Sequence, residues 1–111
     1  MNSQTTPIIL AAADTEDLNE AARASIIQVC TVAHQEGDFK NLVFYIPSDG
    51  RHFLAYREDE LVSHAVVTTR WLQPEGHPLL KTAYVDAVAT LPAYYGQGYG
   101  SAVMEHLAEN I

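Results

Sequence analysis

Three glycines at alternate positions, Gly96, Gly98 and Gly100, follow a strand-like run and open a helix-like one. Glycine lets backbone N–H groups approach a ligand closely and accepts positive φ. The first amides of a helix have no internal partners, and the helix dipole favours anions there. Together these features predict a phosphate cradle. A P-loop would need Gly-Lys-Ser/Thr, but the lysines are Lys40 and Lys81, neither at the loop. A dinucleotide fingerprint would need G-x-G-x-x-G in an early βαβ unit, whereas this G-x-G-x-G comes late. A glycine-rich structural turn without a ligand is the remaining alternative.

The elements that must hold this loop follow from the periodicity. Residues 7–13 (PIILAAA) predict a buried strand. Asp14 and Thr15 are N-cap residue types, and Leu18, Ala22, Ile26, Val29 and Ala33 recur at helical spacing, so 15–34 is expected to be a helix. Gly37 ends it. Asp38 begins a short second helix to Tyr45, and Pro47 to Gly50 form a turn. Strands follow at His52–Arg57, Leu61–Leu72 and Leu79–Thr90, joined by a tight Glu58-Asp59 turn and the loop 73–78. Simple alternation in the last strand puts Tyr84, Asp86, Val88 and Thr90 on one face and Val85, Ala87 and Ala89 on the other. Gly98 to Asn110 is expected to be the final helix, with Tyr99, Val103, His106 or Leu107, and Ile111 on its inner side. This order makes one α/β or α+β layered domain over residues 1–111.

A chain of 111 residues leaves room for one domain. With 48% apolar and 18% charged residues it is expected to be globular. A formal net charge of −8 argues against a nucleic-acid partner and is compatible with a cationic substrate, though solubility alone also accounts for it. No apolar run approaches the roughly 18–20 residues of a membrane span. The single Cys30 rules out an internal disulfide, fits a cytoplasmic location, and falls in an apolar helical stretch as a packing residue. The histidines His34, His52, His64, His77 and His106 show no metal-ligand spacing, so no metal is expected, and they are read as surface or satisfied partly buried groups.

The segment Val88-Ala89-Thr90, a proline turn, and Tyr95-Gly96-Gln97-Gly98-Tyr99-Gly100 closely resembles the strand and pyrophosphate loop of the GNAT N-acetyltransferase superfamily. The family pattern is Arg/Gln-x-x-Gly-x-Gly/Ala between the fourth strand and third helix. The resemblance implies the GNAT-type acyl-CoA N-acyltransferase fold, with a mixed, mainly antiparallel sheet flanked by helices. It implies acetyl-CoA as cosubstrate, held by Val88, Ala89, Thr90, Tyr95, Gly96, Gln97, Gly98, Tyr99, Gly100 and Ser101. One departure is Tyr95 in place of the leading Arg or Gln. No Lys or Arg follows Lys81, so the pyrophosphate would rest on loop amides, the Ser101 hydroxyl and the helix dipole.

By the same resemblance, the backbone of Val88 and Thr90 binds the pantetheine arm as an added strand, and an amide near Val88 polarises the thioester carbonyl. Tyr84-Val-Asp-Ala-Val-Ala-Thr90 is similar to the Tyr-Val-Glu-Gly-Val-Ala-Val stretch of bacterial aminoglycoside 2'-N-acetyltransferases. Ser63-His64-Ala-Val-Val and Arg70 upstream are similar too. The matching carboxylate there is the water-linked base, which makes Asp86 the candidate general base for a small-molecule amine acceptor. Asp is shorter than Glu, and a solvated strand carboxylate is the plain alternative. Tyr84 is the candidate acceptor contact, with strand packing as its alternative.

GNAT domains continue with a fifth strand, a helix and a hairpin, whereas this sequence stops at Ile111. It is expected to be a truncated chain, one piece of a split protein, or a shortened relative. The strand 79–90 would then be a sheet edge, and homodimerisation or other association through it is expected. A CoA-binding module without turnover, and a structural fragment with an empty loop, are the competing readings.

Overall fold

The computed structural model describes residues 7–34 and 50–110. Four strands form one antiparallel sheet in the order β1-β2-β3-β4: β1 (Ile8–Asp14), β2 (Arg51–Arg57), β3 (Glu60–Leu72) and β4 (Leu80–Thr90). Every pairing among them is antiparallel. Helix α1 (Glu20–His34) covers one face and α2 (Tyr99–Glu109) the other. The short helix expected at 38–45 and most of the turn after it lie outside the described residues.

The first helix begins at Glu20 rather than at residue 15. Asp14 and Thr15 have the right chemistry for caps, but tertiary partners take their side chains. Arg51 Nη1 donates to Asp14 Oδ1 at 3.0 Å, and the Thr15 hydroxyl is buried against Gly50 and His52. Residues Thr15–Asp17 form a single 3₁₀ turn, and the helix cap passes to Asn19, whose Oδ1 accepts the Ala22 N–H at 2.8 Å. A cap of this kind stabilises a helix by about 1 kcal/mol.

From α1, Ile26, Val29 and Cys30 pack on Leu54, Val66, Ala87 and Ala89. On the opposite face Tyr99, Val103 and Leu107, spaced four apart on α2, pack on Phe53, Ala55, Val62 and Ala65. Each fully buried Val or Leu contributes about 1.5–3 kcal/mol, so α2 is held chiefly by this stripe. His106 stands edge-on to the Phe53 ring, with centroids 5.3 Å apart. The sheet is thus sandwiched, and the end of β4 is brought against the start of α2.

β4 contains a bulge that the unbroken alternation of its sequence does not announce. Its register runs Val66↔Asp86 and then His64↔Ala89, so Ala87 and Val88 together oppose Ala65. Ala87 has φ +50°, in the left-handed region where an L residue costs about 1–2 kcal/mol. The extra residue turns the side-chain alternation over. Tyr84 sits opposite Thr68 and Thr90 opposite Ser63, on opposite faces of the sheet rather than on one face as expected.

Candidate acyl-CoA site

The β4 strand ends at Thr90, and the Leu91 N–H still donates to Val62 O at 2.9 Å. Pro92–Tyr94 make one 3₁₀ turn, and the chain then passes through Gly96 (φ +78°) and Gly98 (φ +89°) into α2. Gly98 is the N-cap, with no side-chain bond to the helix amides. A Cβ at Gly96 or Gly98 would meet no atom within 4 Å, so both backbones open onto free space. That space is a cleft of about 290 Å³ lined by Val88, Ala89, Thr90, Tyr94, Tyr95, Gly96, Gly98, Tyr99, Gly100 and Ser101.

The cleft gathers every residue expected to hold the cofactor except Gln97, which donates back to the Ala93 carbonyl at 3.5 Å. Tyr99 is buried with its ring in the α2 core, so its backbone is what remains for a ligand. Tyr94, which with Tyr95 and Tyr99 surrounds the glycines in the sequence, also lines the cleft. Its hydroxyl donates to Glu60 Oε1 at 2.7 Å, its ring stacks edge-on to Tyr99 at 5.8 Å, and the Arg57 guanidinium lies 5.5 Å from the ring centroid. The bond to Glu60 raises the Tyr94 pKa and keeps the phenol protonated. Because Glu60 begins β3, the entry to the loop is tied to the sheet a second time beyond the end of β4.

The loop's footing is close-packed. Ser63 Oγ donates to the Ala89 carbonyl at 3.1 Å and lies 2.8 Å from Thr90 Oγ1. Gly100 faces the same threonine, and only a residue without a side chain lets α2 start so near the strand. These features fit a diphosphate ester: amides at a helix start, positive-φ glycines bordering open space, and a dipole in place of cations.

The two residues expected to act chemically are placed differently. Tyr84 is exposed and its side chain lies on the α1 side of the sheet. Asp86 is in β4 opposite Val66, and its side chain lies outside the described residues. Val88 is exposed beside the cleft.

Behind β4 lies a buried polar chain. His52 Nδ1 and His64 Nε2 are 2.8 Å apart, His64 Nδ1 is 3.0 Å from the Ala87 carbonyl, and Thr15 Oγ1 is 2.9 Å from His52 Nε2. The carbonyl can only accept, so His64 carries its proton on Nδ1 and presents a bare Nε2. His52 must then donate from Nδ1, which leaves its Nε2 to accept the single proton of the Thr15 hydroxyl; the Gly50 carbonyl, 3.2 Å from that hydroxyl, keeps the Thr15 N–H as its donor at 2.9 Å. Cys30 Sγ lies 3.9 Å from both His64 Nδ1 and the Ala87 oxygen. Both rings are fully buried. Burial, then the positive Arg23, pull the His52 pKa down to about 4. Burial, then His52, pull His64 down to about 3. Both are therefore neutral near pH 7, as the donor order requires. Sequence reasoning grouped them with ordinary histidines. The one available signal was spacing: Val62 and Val66 stand two residues from His64, and Leu54 two residues from His52.

The chain belongs to the acetyltransferase (GNAT) family, whose model matches residues 12–110. No curated protein matches it. Among solved structures it is similar to a probable N-acyltransferase from Enterococcus faecalis V583, with 19% identity and a TM-score of 0.72 over 94% of this chain and 26% of that one. It is similar to Escherichia coli ElaA, with 19% identity and a TM-score of 0.66 over 93% of this chain and 68% of that one. It is also similar to an aminoglycoside acetyltransferase from an uncultured soil metagenomic sample, with 16% identity and a TM-score of 0.68 over 92% and 68%. At these identities the likeness is one of fold. Among the described residues no helix is long and apolar enough to cross a membrane.

Proposed function

We propose that this chain carries the cosubstrate site of an N-acetyltransferase that moves the acetyl group of acetyl-CoA directly onto a primary amine. The observation that carries this reading is the convergence of the β4 end, the positive-φ glycines and the α2 N-terminus on one cleft. Acetyl-CoA supplies the activated thioester. The loop amides from Gly96 to Ser101 hold its diphosphate, and the exposed stretch from Val88 to Thr90 aligns its pantetheine arm. The Val88 region polarises the thioester carbonyl, Asp86 takes the ammonium proton directly or through water, and Tyr84 contacts the acceptor. The acceptor is a small polyamine-like molecule such as an aminoglycoside. The acidic balance and the fold likeness to an aminoglycoside acetyltransferase support that choice. A consumer of acetyl-CoA with one buried thiol, Cys30, belongs in the cytoplasm. β4 is one of the two edges of the described sheet, the other being β1, and supports association of two chains there.

Calorimetric titration with acetyl-CoA, with Gly98→Val as control, tests the cleft. Heat of binding in the native chain and none in the variant supports the site, and no heat in either removes it. Turnover against a panel of amines then tests the reaction. A second reading, a CoA-binding module without turnover, is favoured by Tyr95 standing where the family has Arg or Gln. Binding without turnover against every amine would select it.

A further inference from the structure

The Thr15–His52–His64 chain touches no ligand space, yet it ends on the carbonyl of the one β4 residue given a left-handed backbone. A polar chain this deep is costly unless every member is satisfied, and here each is, provided both rings carry Nδ1–H. We propose that His64 is a positioning residue for acetyl transfer: its ring locks the β4 bulge at Ala87, and through it the backbone directions of Asp86 and Val88 on either side. His52 and Thr15 fix the His64 tautomer from behind. The inference rests on the acetyltransferase reading for its kinetic consequence, but not for its structural one.

The geometry supports an anchor rather than a proton relay. The chain terminates at an amide oxygen, which holds no transferable proton, and Cys30 on the far side is a weak donor to the same atom. Thr15 comes from the turn after β1, Cys30 from α1 and the Ala87 carbonyl from β4, while the charges of Arg23 and Asp14 act on His52. Ala87 cannot relax to negative φ without withdrawing its oxygen from His64. A bulge free to do so would let Val88 and Asp86 shift relative to the glycine loop, whose footing on Ser63 and Thr90 stays put.

Two near-isosteric variants separate the roles of the ring nitrogens. In His64→Asn the amide nitrogen falls near the Nδ1 position and still donates to Ala87. In His64→Gln the amide falls near Nε2 and the donor to Ala87 is lost. The expected result is kcat within a few-fold of native for His64→Asn and about 10- to 100-fold lower for His64→Gln. Acetyl-CoA affinity should change by less than about threefold in His64→Asn, and in His64→Gln it should fall by less than kcat does, since Val88 shifts but the glycine loop stands on other partners. Nitrogen-15 NMR of the native chain should show Nδ1–H on both rings, and faster exchange of the Val88 amide in His64→Gln while the Val103 amide is unchanged. A proton on His64 Nε2 overturns the proposal in the native chain, whatever the variants do. Equal Val88 exchange in His64→Gln and native protein also overturns it. If the native chain binds acetyl-CoA but transfers nothing, the acetyltransferase reading fails, and the ring spectrum and amide exchange still decide this one.

Discussion

A Cβ placed on Gly100 would stand 3.0 Å from Thr90 Oγ1. That oxygen is not a free side-chain end, because Ser63 Oγ holds it at 2.8 Å and Ser63 is itself tied to the Ala89 carbonyl. Gly100→Ala must therefore strain the Ser63–Thr90 bond or ease the α2 N-terminus away from β4 by a few tenths of an ångström. Overpacking of this kind costs about 1–3 kcal/mol. Thermal unfolding should show the loss, and adding Thr90→Ala should restore part of it. A double variant no more stable than Gly100→Ala alone would mean that the two residues do not press on each other.

Gly98 poses the opposite problem, since space is ample and conformation is not. A Cβ there meets nothing, yet φ is +89°. Asn accepts the left-handed region, whereas a β-branched residue does not. Gly98→Asn is expected to fold within about 1 kcal/mol of native while filling the ligand's space. Gly98→Val is expected to lose both stability and acetyl-CoA binding. Melting temperature and calorimetry together distinguish the two, and full binding by Gly98→Asn would exclude a ligand at this amide.

Acid should destabilise the fold through the buried histidines. Above pH 6.5 both rings are neutral whether the chain is folded or not. Below it the unfolded chain takes up protons that the folded one refuses until about pH 4 at His52 and about pH 3 at His64. The unfolded state binds more protons, so stability falls as pH falls. For His64 the slope approaches about 1.4 kcal/mol per pH unit between those limits. Melting temperatures from pH 7 to 4.5 should decline steeply in the native chain and less steeply in His64→Asn. Parallel declines would show that His64 titrates normally.

If Asp86 is the base, Asp86→Asn should lower turnover by about 10²- to 10⁴-fold while leaving acetyl-CoA binding intact. Turnover and calorimetry on the same preparation test this. Unchanged turnover removes Asp86 from the chemistry.

Association through β4 is tested by sedimentation across a concentration series. The strand presents exposed Leu80, Tyr84 and Val88 at the sheet edge, and a dimer is expected at high concentration. A monomer throughout would count against pairing there.

The glycine loop was legible in the sequence because its conformations are written in residue type: positive φ at Gly96 and Gly98 and close approach at Gly100 each need glycine. The strand runs and the Tyr99–Val103–Leu107 stripe were legible through their periods. The start of α1 was not, because Asp14 and Thr15 are claimed by Arg51, Gly50 and His52, remote in sequence. The bulge was not either. Tyr84 to Thr90 alternates without a break, and the break is imposed by pairing with β3 and by the His64 bond to Ala87. Local pattern specifies elements, and cross-strand partners decide where they bend.

The bulge has one more effect. Because the alternation inverts at Ala87, the half of β4 bearing Tyr84 addresses the α1 side and the half bearing Thr90 addresses the α2 side. Side chains can be exchanged at Tyr84 without touching the Ser63–Thr90–Gly100 contact that seats the glycine loop. A single inserted residue insulates one set of substitutions from the other, so descendants of such a sheet are free to change what they contact on one side while inheriting the loop's seat on the other.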